Sequence, residues 1–409
     1  MKVFQLSYSN TLGGASRAAS RIHHALRIDN IDSRMLVNIM NGDDWTVSSP
    51  TKPLDKIRIL LSPQIAKPIR NLLITKNKML HSPSIVPSLW PSHLNNSNAD
   101  LVNLHWVGWE MLSIKDIKKI QKPLVWTLHD MWAFCGTEHY TSDFRWKLGY
   151  NNLNRPIDER GFDLNKWAWK RKLKNWNEPF NIVTPSKWLG ECVKESALMR
   201  DWPVTIIPNP LDLNVWKPAD MSVARSILNL PPDIPLILFG AMSGNANPIK
   251  GFDLLIEALG HLRNEGNYFE LVIFGQHPPQ NVPDFGFPVH YLGHLHDDIS
   301  LRLVYSAANL MVVPSRLEAF GQTASEAQAC GTPVVAFNTS GLRDIVDHKI
   351  TGYLAKRDDS IDLACGIHYV LSKNRGSSLG EAGRRKVEAH FSTEIVAKQY
   401  RLLYNSILR

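Results

Sequence analysis

The stretch SRLEAFGQTASEAQACGTPVVAF, residues 315–337, is the part of the sequence that most clearly indicates the fold. A short apolar strand over 310–313 leads into it, a tight turn carries Glu318, and a helix begins near Gly321. The apolar run PVVAF at 333–337 follows as the next strand. A strand, a helix and a second strand in this order predict a parallel sheet with the helix packed on one face.

The start of this helix has the features of an anion-binding site. Gly321, Gln322 and Thr323 form its first turn, where backbone N–H groups and the helix dipole favour a phosphate. Glu326 lies about 7.5 Å along the helix axis from Gly321, and Glu318 lies on the other side of the turn. The two carboxylates are therefore placed to accept hydrogen bonds from sugar hydroxyls at either end of a diphosphate-linked ligand. The alternative is that both acids are solvated charges, which are favoured at any helix start.

Strand-like and helix-like segments alternate twice along the chain. The first half has strand-like runs at 2–8, 34–38, 101–106, 123–129 and 180–186. After the proline-rich stretch 206–218 the pattern restarts, with runs at 235–242, 269–275, 289–293, 310–315 and 333–337. Such alternation predicts an α/β protein with parallel sheets covered by helices on both faces. A chain of 409 residues is long enough for two such domains.

The composition argues against several classes of protein. No apolar run of about 18 residues is present, and the N-terminal sequence MKVFQLSYSN has no long apolar region, so we expect neither a membrane span nor a secretory signal. Cys135, Cys192, Cys330 and Cys365 are scattered without a CxxC pair, which argues against a disulfide framework or a structural zinc site. We therefore expect a cytoplasmic protein with reduced cysteines.

A pair of glycines follows the first strand. Gly13 and Gly14 precede a helix that holds Arg17 and Arg21, and glycines allow backbone N–H groups to come close to an anion. The alternative is a simple tight connection between a strand and a helix. Since Ala, Ser and Arg follow the pair, it is not the GxGxxG fingerprint of dinucleotide-binding proteins, which argues against a dehydrogenase.

The two glutamates are separated by seven residues, with AFG between them and EAxACGTPVV beginning at the second. This pattern resembles the signature of the retaining family 4 glycosyltransferases, and of their bacterial cell-surface polysaccharide type. The resemblance implies the GT-B fold, with two facing Rossmann-like domains, parallel sheets and an interdomain cleft. It implies an acceptor-side domain over 1–205, a hinge linker over 206–220, a nucleotide-sugar domain over 221–385 and a C-terminal helix over 386–409 that crosses back to the first domain.

The resemblance also implies roles for individual residues. His129, Glu318 and Lys250 match the catalytic set, in which the first two hold hydroxyls of the donor sugar and the lysine faces the diphosphate. The matching donor-binding residues are Gly13, Gly14, Ala319, Phe320, Gly321, Gln322, Thr323 and Glu326. Asp130 and Arg17 are expected on the acceptor side. Asp130 is also next to His129 in the sequence, where it can orient the His129 ring. The alternative for a lone histidine or lysine is a structural or surface role.

One region departs from the family pattern. The family usually pairs the lysine with an arginine shortly after the preceding strand, and here that region reads GAMSGNANPIK, with Ala241 and Met242 at the expected position. Ser243, Asn245 and Asn247 are candidates for neutral hydrogen bonds to the diphosphate instead. The sequence therefore does not identify the residue that takes the place of this arginine in binding the diphosphate.

The implied activity is transfer of a sugar from a nucleotide-diphosphate sugar to a glycan or lipid-linked acceptor, with retention of the anomeric configuration. The nucleotide sugar is a substrate, and no cofactor is expected. No DxD triplet occurs in the sequence, so we expect no metal ion in the reaction. The alternatives are a nucleotide-sugar epimerase or phosphorylase, a non-catalytic partner subunit that binds a nucleotide, and a basic membrane-associated scaffold.

Basic residues outnumber acidic ones by 46 to 38, and two segments concentrate them. Segment 52–80 contains Lys52, Lys56, Arg58, Lys67, Arg70, Lys76 and Lys78 against Asp55, and segment 163–176 combines basic residues with three tryptophans. Both predict contact with an anionic membrane at its inner face; the alternative is a solvated basic face over buried tryptophans. Pro63 and Pro68 predict two short helices with a break in the first segment. Without zinc-finger spacing or an RNA-recognition motif, no nucleic-acid partner is expected.

Overall fold

Two parallel β-sheets organise the chain, one in each of two units. The computed structural model describes residues 1–240, 247–264, 266, 268–295, 297–372 and 375–409. The first unit comprises Met1–Pro208 together with Val396–Arg409, and the second comprises Asn209–Ile395.

The sheet of the first unit has seven strands that pair in parallel. They are β1 (Lys2–Ser9), β2 (Asp32–Ile39), β3 (Val47–Ser48), β5 (Leu101–Leu104), β6 (Leu124–Thr127), β8 (Asn181–Thr184) and β9 (Val204–Ile206), in the order β3-β2-β1-β5-β6-β8-β9. β4 (Leu73–Ile74) and β7 (Arg160–Gly161) form a separate antiparallel pair. The helices are α1 (Gly13–Ile28), α2 (Pro53–Arg70), α3 (Trp90–Asn95), α4 (Ile114–Lys118), α5 (Arg145–Leu148), α6 (Leu164–Asn175) and α7 (Lys187–Glu195).

The sheet of the second unit has six strands, also parallel. They are β10 (Leu236–Gly240), β11 (Glu270–Phe274), β12 (Val289–Tyr291), β13 (Leu310–Val313), β14 (Val334–Phe337) and β15 (Gly352–Ala355), in the order β12-β11-β10-β13-β14-β15. The helices are α8 (Met221–Ile227), a 3-10 helix (Pro248–Lys250), α9 (Phe252–Asn264), α10 (Asp298–Ala307), α11 (Gln322–Ala329), α12 (Leu342–Ile345), α13 (Ser360–Leu371) and α14 (Arg375–His390). The last helix, α15 (Thr393–Leu408), lies mostly in the first unit.

The central strands are buried on both faces, which explains their nearly continuous apolar sequences. Along β10, Leu236 and Leu238 belong to one core cluster, whereas Ile237 and Phe239 belong to the cluster on the other face. This alternation is the two-residue period of a strand. The predicted α/β architecture with two parallel sheets is therefore confirmed.

The last helix completes the core of the first unit. Tyr400 and Tyr404 of α15 are fully buried in the cluster that contains Val3 of β1. The Tyr404 hydroxyl accepts a hydrogen bond from Asn103 Nδ2 at 2.9 Å, and the Tyr400 hydroxyl lies 3.2 Å from Thr127 Oγ1. Segment 386–409, expected as one helix, instead contains the end of α14 before α15 begins.

The two basic segments differ from their sequence-based predictions. Residues 53–70 form the single helix α2, with Pro63 and Pro68 inside it, so the predicted break is wrong. Each proline removes one backbone donor, and the helix continues through both. In α6 the ammonium of Lys172 is buried against backbone carbonyls, and Trp169 and Trp176 are buried as well. Leu173 is 51% exposed, but Lys172 and two of the three tryptophans are buried, so segment 163–176 mainly contributes to the core and its membrane contact stays a prediction.

Predicted site residues follow the carboxyl ends of strands in both units. Gly13 comes after β1, His129 comes after β6, and Glu318 comes after β13. Strands of a parallel sheet end on the same edge, and ligands of such sheets bind outside that edge. Each sheet thus presents its group of predicted residues at one edge.

Candidate functional site

The turn between β13 and α11 forms an anion-binding geometry in the second unit. Gly321 is the N-cap of α11 and has φ 109°, in the left-handed region that favours glycine. A Cβ at this position would lie 2.9 Å from Leu342 Cδ2, so a larger residue is also excluded by packing. The backbone N–H groups of Gln322 and Thr323 open the helix, where the dipole favours negative charge.

Lys250 and Glu318 meet beside this turn, although they are 68 positions apart in the sequence. Lys250 Nζ donates to Glu318 Oε1 at 2.6 Å, and Ser315 Oγ donates to the same oxygen at 2.9 Å. The side chains are 28% and 16% exposed, respectively, so both remain accessible to a ligand. The Glu318 backbone is fixed as well, because its N–H donates to Ser340 Oγ at 2.9 Å. The structure therefore brings together the ammonium and one of the two carboxylates predicted for the site.

The loop that carries Lys250 is held against the end of β13. Asn247 Oδ1 accepts the N–H of Ile249 at 3.2 Å and so caps the 3-10 helix. The backbone N–H of Arg316 donates to the Ile249 carbonyl at 2.7 Å, and the Arg316 guanidinium binds both carboxylate oxygens of Asp253 at 2.8 and 2.6 Å. These contacts fix the position of Lys250 relative to Glu318.

The second glutamate is placed deeper than the first. Glu326, in the second turn of α11, is 4% exposed, and its Oε2 accepts a hydrogen bond from the Tyr305 hydroxyl at 2.8 Å. Tyr305 comes from α10 and is fully buried. A buried carboxylate needs such a donor, because an unpaired charge in the interior is strongly unfavourable.

The region in which the family arginine is missing lies mostly outside the described residues. This applies to Ala241, Met242, Ser243 and Asn245. Of the residues named there as candidates, Asn247 is described, and its side-chain oxygen is used for the cap of the 3-10 helix.

The glycine pair of the first unit forms the start of α1. Gly13 is the first residue of the helix and has φ 78°, and Leu12 at the N-cap provides no side-chain cap. A Cβ added at Gly13 or Gly14 would meet no atom within 4 Å, so the space over the helix start is open. Arg17 lies one turn into the helix. The structure therefore places the glycine pair at a helix N-terminus, and its contact with an anion stays a prediction.

His129 is held by a second histidine that the sequence analysis did not identify. His105 Nδ1 lies 3.0 Å from His129 Nε2, and the rings stack with centroids 5.3 Å apart. His105 Nε2 lies 2.8 Å from Gln5 Oε1. With the Gln5 amide in this orientation, His105 carries its proton on Nε2, so its Nδ1 accepts the proton of His129 Nε2. His129 Nδ1 is then a hydrogen-bond acceptor.

Both histidines are neutral at neutral pH. Burial lowers the pKa of His129 to about 4, against the opposing effect of the Asp130 charge. Burial, together with the neighbouring His129, also lowers the pKa of His105. The shared hydrogen bond requires His105 to be neutral, because its Nδ1 must be an unprotonated acceptor, and burial keeps the His129 ring neutral as well.

The Asp130 side chain binds groups other than the His129 ring, which it was expected to orient. Its Oδ2 accepts from His139 Nδ1 at 2.6 Å and from Trp106 Nε1 at 2.8 Å, and its Oδ1 accepts from the Trp132 backbone at 2.9 Å. His139 in turn contacts Ser82 Oγ through Nε2 at 2.8 Å. Burial alone would raise the pKa of Asp130, but His139 and these donors hold it below its ordinary value. The expected orientation of His129 by Asp130 is therefore replaced by the His105 contact.

Three residues of these sites were missed by the sequence analysis, and only one had a usable signal. His105 directly follows β5, so the rule that places ligands at strand ends applies to it. Tyr305 lies in the apolar pattern of α10, and His139 lies in an irregular loop. Their contacts depend on chain segments far away in sequence, which no local pattern reveals.

One group of three candidate metal ligands occurs within the described ranges, namely His23, His24 and Asp44, whose ligand atoms lie within 4.8 Å of each other. His23 already contacts the hydroxyls of Ser33 and Thr46 at 2.8 Å each, and His24 Nε2 contacts Asp44 Oδ2 at 2.8 Å. These partners explain the cluster as hydrogen bonds that join α1 to β2 and to the segment between β2 and β3.

Comparison with protein families identifies two matching models. The model described as Glycosyltransferase Family 4 matches residues 12–215, and the model described as Glycosyl transferases group 1 matches residues 235–373. The first match covers most of the first unit and the first residues of the second, and the second match lies in the second unit and includes both Lys250 and the turn with Glu318.

Curated relatives cover part of the chain. A D-inositol 3-phosphate glycosyltransferase of Xylanimonas cellulosilytica is 33% identical over 210 residues, which are 47% of this chain and 49% of that protein. The corresponding protein of Geodermatophilus obscurus is 32% identical over 204 residues, 46% of this chain and 44% of that protein. The chain thus spans about half the length of the curated relatives it matches.

Solved structures match over the whole chain. Sucrose-phosphate synthase from Thermosynechococcus elongatus has a TM-score of 0.69 at 19% identity, covering 100% of this chain and 99% of that one. Anabaena HepE in complex with UDP and glucose has a TM-score of 0.66 at 17% identity, covering 99% of this chain and 100% of that one. At such identities the likeness shows the fold, and the predicted GT-B fold is confirmed.

Proposed function

Because the chain belongs to glycosyltransferase family 4, we propose that it transfers a sugar from a nucleotide-diphosphate sugar to a glycan or lipid-linked acceptor, with retention of the anomeric configuration. The observation that carries this proposal is the pair of Lys250 and Glu318 beside the N-terminus of α11. An ammonium and a helix N-terminus together bind a diphosphate. The adjacent carboxylate accepts a hydrogen bond from a sugar hydroxyl.

In this proposal, donor binding changes the partner of Lys250. The ammonium turns from Glu318 to the diphosphate, and Glu318 Oε1 becomes available to a donor hydroxyl. An ion pair between partly exposed groups contributes only about 0 to 1 kcal/mol, so this exchange costs little. As the bond between the sugar and the diphosphate breaks, Lys250 and the N–H groups at 319–323 stabilise the growing negative charge.

The remaining predicted residues complete the proposed roles. Glu326 accepts hydrogen bonds from the ribose hydroxyls, while Gly13 and Gly14 offer the start of α1 to the diphosphate. His129 accepts a hydroxyl of the donor sugar through Nδ1, a role that needs the neutral ring described above. The acceptor then attacks the anomeric carbon from the face that the diphosphate leaves.

A comparison of two lysine variants tests the function. The purified protein is first titrated with a panel of nucleotide sugars that includes UDP-glucose, and turnover of the bound donor is then followed by product analysis. We expect Lys250→Ala to lower turnover about a hundredfold, the typical effect of removing one group that stabilises developing charge. Lys356→Ala removes an ammonium that is 80% exposed in the same unit and serves as the control. Equal turnover of the Lys250→Ala protein and the control would contradict the proposal.

The alternatives give different results in the same assay. An epimerase converts the bound nucleotide sugar without an acceptor and leaves the sugar attached to the nucleotide. A non-catalytic subunit binds the donor and produces neither free nucleotide nor a new sugar. Release of the nucleoside diphosphate together with a glycosylated product separates the transferase from both.

We also propose that α2 contacts an anionic membrane surface, which places the acceptor reaction at the inner face of a membrane. Leu54, Ile57, Leu60 and Ile65 on this helix are more than half exposed, next to several lysines and arginines. An apolar face beside basic residues is typical of helices that lie in the membrane interface. In the part of the chain that the structure describes, no helix has the length and apolarity needed to span a bilayer.

A further inference from the structure

A cavity of about 760 Å³ lies in the first unit, away from the residues assigned above. Phe4 of β1 and Leu36 of β2 are among the residues that line it. Their sequence neighbours Val3 and Met35 belong to the clusters that pack with α1. Because side chains alternate along a strand, the cavity lies on the sheet face opposite α1. The helix α2 forms one of its walls.

The deep part of the cavity is apolar. Phe4 is 8% exposed, Leu36 5%, Trp90 9% and Met111 1%, so these four side chains form its buried wall. They present aromatic and aliphatic surface to any molecule that enters. A cavity of about 300 to 1,000 Å³ with a mainly apolar lining has the size of a small-molecule site.

Several buried polar groups that border this wall already have partners, whereas the buried Ser88 Oγ has none among the described residues. Asn38 Oδ1 accepts from Trp90 Nε1 at 2.8 Å, and the Glu110 carboxylate accepts the three backbone N–H groups of residues 84–86 at 2.6 to 2.9 Å. Ser62 Oγ donates to a backbone carbonyl one turn earlier in α2 at 2.7 Å. A sugar in this part of the cavity would leave most of its hydroxyls unpaired, which is unfavourable in a buried site. The deep wall therefore favours hydrocarbon.

The mouth of the cavity has a different character. Exposed Lys52 and His93 lie there with the half-buried Arg58 and Asp55. The wall helix α2 carries Lys56, Arg58, Lys67 and Arg70 against the single acid Asp55, so its net charge is positive. A negatively charged group is therefore favoured at the mouth.

We propose that this cavity binds one hydrocarbon chain of an anionic amphiphile, with the chain against Trp90, Phe4, Leu36 and Met111 and the charged head near Lys52 and Arg58. The inference rests on the proposed function in one respect, because it identifies the amphiphile as the lipid-linked acceptor. Binding of the chain itself requires only the first unit and is measured without turnover.

The test uses ω-bromoundecanoate, a soluble anionic chain whose bromine quenches tryptophan fluorescence on contact. We expect saturable quenching in the wild-type protein and a clear loss of the quenched fraction in Trp90→Phe. Acetate supplies the anion without the chain, and ω-bromoundecanol supplies the chain without the anion. We expect no displacement of the probe by acetate, and weaker binding of the alcohol than of the carboxylate.

Variants that fill the cavity locate the binding site. Ser62→Phe points an aromatic ring from α2 into the cavity, whereas Gln64→Phe adds the same ring on the exposed face of that helix. We expect affinity for the chain to fall at least about tenfold in Ser62→Phe, equivalent to about 1.4 kcal/mol, and to stay unchanged in Gln64→Phe. Ser49→Phe adds a ring to the cavity from the loop between β3 and α2. This variant replaces Ser62→Phe in the test if Ser62→Phe does not fold.

The results of these binding experiments test the cavity proposal independently of the proposed glycosyltransferase function. Equal quenching in wild type, Trp90→Phe and the cavity-filling variants would overturn it, and so would displacement of the probe by acetate alone. Arg58→Met is expected to remove the preference for the carboxylate over the alcohol, and an unchanged preference would overturn the placement of the head group. Titration with UDP-glucose reports donor binding in the second unit, so absence of chain binding by the wild-type protein, with intact donor binding and turnover, refutes the cavity proposal alone.

Discussion

Glu326 shows how a single residue of the candidate site depends on a partner that is distant in the sequence. The Tyr305 hydroxyl donates to its buried carboxylate. We expect Tyr305→Phe to lower the free energy of unfolding by about 1.5 to 3 kcal/mol, because a hydrogen bond to a charged group is lost in the interior. If Glu326 binds the ribose, the Michaelis constant for the donor also rises, because the carboxylate is no longer held in place.

Tyr291→Phe provides the matched control in the same unit. Among the described residues, the buried Tyr291 hydroxyl has no hydrogen-bond partner, so its removal is expected to be neutral or slightly stabilising. Chemical unfolding and donor titration of both variants check the prediction. Equal stability of the two variants would show that the Glu326 contact contributes nothing.

His129 gives a prediction for the dependence of stability on pH. Its pKa is about 4 in the folded protein, below the ordinary value of 6.5, because burial disfavours the charged ring. Between these values the unfolded chain binds the proton and the folded chain does not, so the ring lowers stability as the pH falls. From pH 7 to pH 5 this effect amounts to about 1 to 2 kcal/mol.

The substitution His129→Gln removes this titrating group. We expect the variant to lose about 1 to 2 kcal/mol less stability than the wild type between pH 7 and pH 5. The measurement is chemical unfolding at both pH values, with His261→Gln on the exposed side of α9 as control. An identical loss in wild type and His129→Gln would show that the folded protein does not keep the ring neutral.

At the scale of single elements, the start of α11 depends on the backbone of Gly321. This residue has φ 109°, and a Cβ there meets Leu342 at 2.9 Å. We expect Gly321→Ala to lower the free energy of unfolding by about 1 to 3 kcal/mol, the usual cost of forcing a side chain into such a conformation. Donor affinity should fall with it, because the N–H groups of the first turn move.

Substitution of a second glycine in the same unit is expected to change the free energy of unfolding in the opposite direction. Gly260 lies inside α9 on the exposed side, and a Cβ there would meet no atom within 4 Å. We expect Gly260→Ala to raise stability by about 0.5 to 1 kcal/mol, because alanine favours the helix more than glycine does. Similar effects from both substitutions would argue against the special backbone role of Gly321.

The helix α2 is the element on which the proposed membrane contact depends. Leu60 is 71% exposed on it, and a negative charge there would oppose both the apolar and the electrostatic attraction. We expect Leu60→Glu to weaken sedimentation with anionic liposomes about tenfold, equivalent to about 1.4 kcal/mol. Leu153→Glu changes a residue that is 99% exposed elsewhere in the first unit and should have no such effect. Absence of wild-type binding at low salt would reject the contact.

At the scale of the whole molecule, local patterns predict the elements better than the contacts between them. The apolar runs locate strands such as β10, β13 and β14 because a buried parallel strand has a nearly continuous apolar sequence. The proline rule fails in α2, which continues through Pro63 and Pro68.

The candidate sites show the same difference between local patterns, which the sequence predicts, and contacts between elements, which it does not. Glu318 and Gly321 were found because one short segment forms both the turn and the helix start. The contact of Lys250 with Glu318, and those of His105 with His129 and of Tyr305 with Glu326, each join separate elements. No periodicity encodes such contacts, because they arise only when the sheet orders its strands and places their ends side by side.

The proposed function also needs a source of positive charge for the diphosphate. In that proposal Lys250 and the N-terminus of α11 supply it in the second unit, since the sequence has no DxD triplet to bring a metal ion to the donor. A lysine and a helix N-terminus both stabilise negative charge that develops on a leaving diphosphate. We therefore expect dialysis against EDTA to leave turnover within about twofold of the untreated enzyme, which is less than about 0.4 kcal/mol in barrier height. The same assay with added manganese, and a metal-dependent glycosyltransferase treated in parallel as control, checks this. Full loss of turnover in EDTA with recovery in manganese would show that the lysine and the helix do not carry the charge alone.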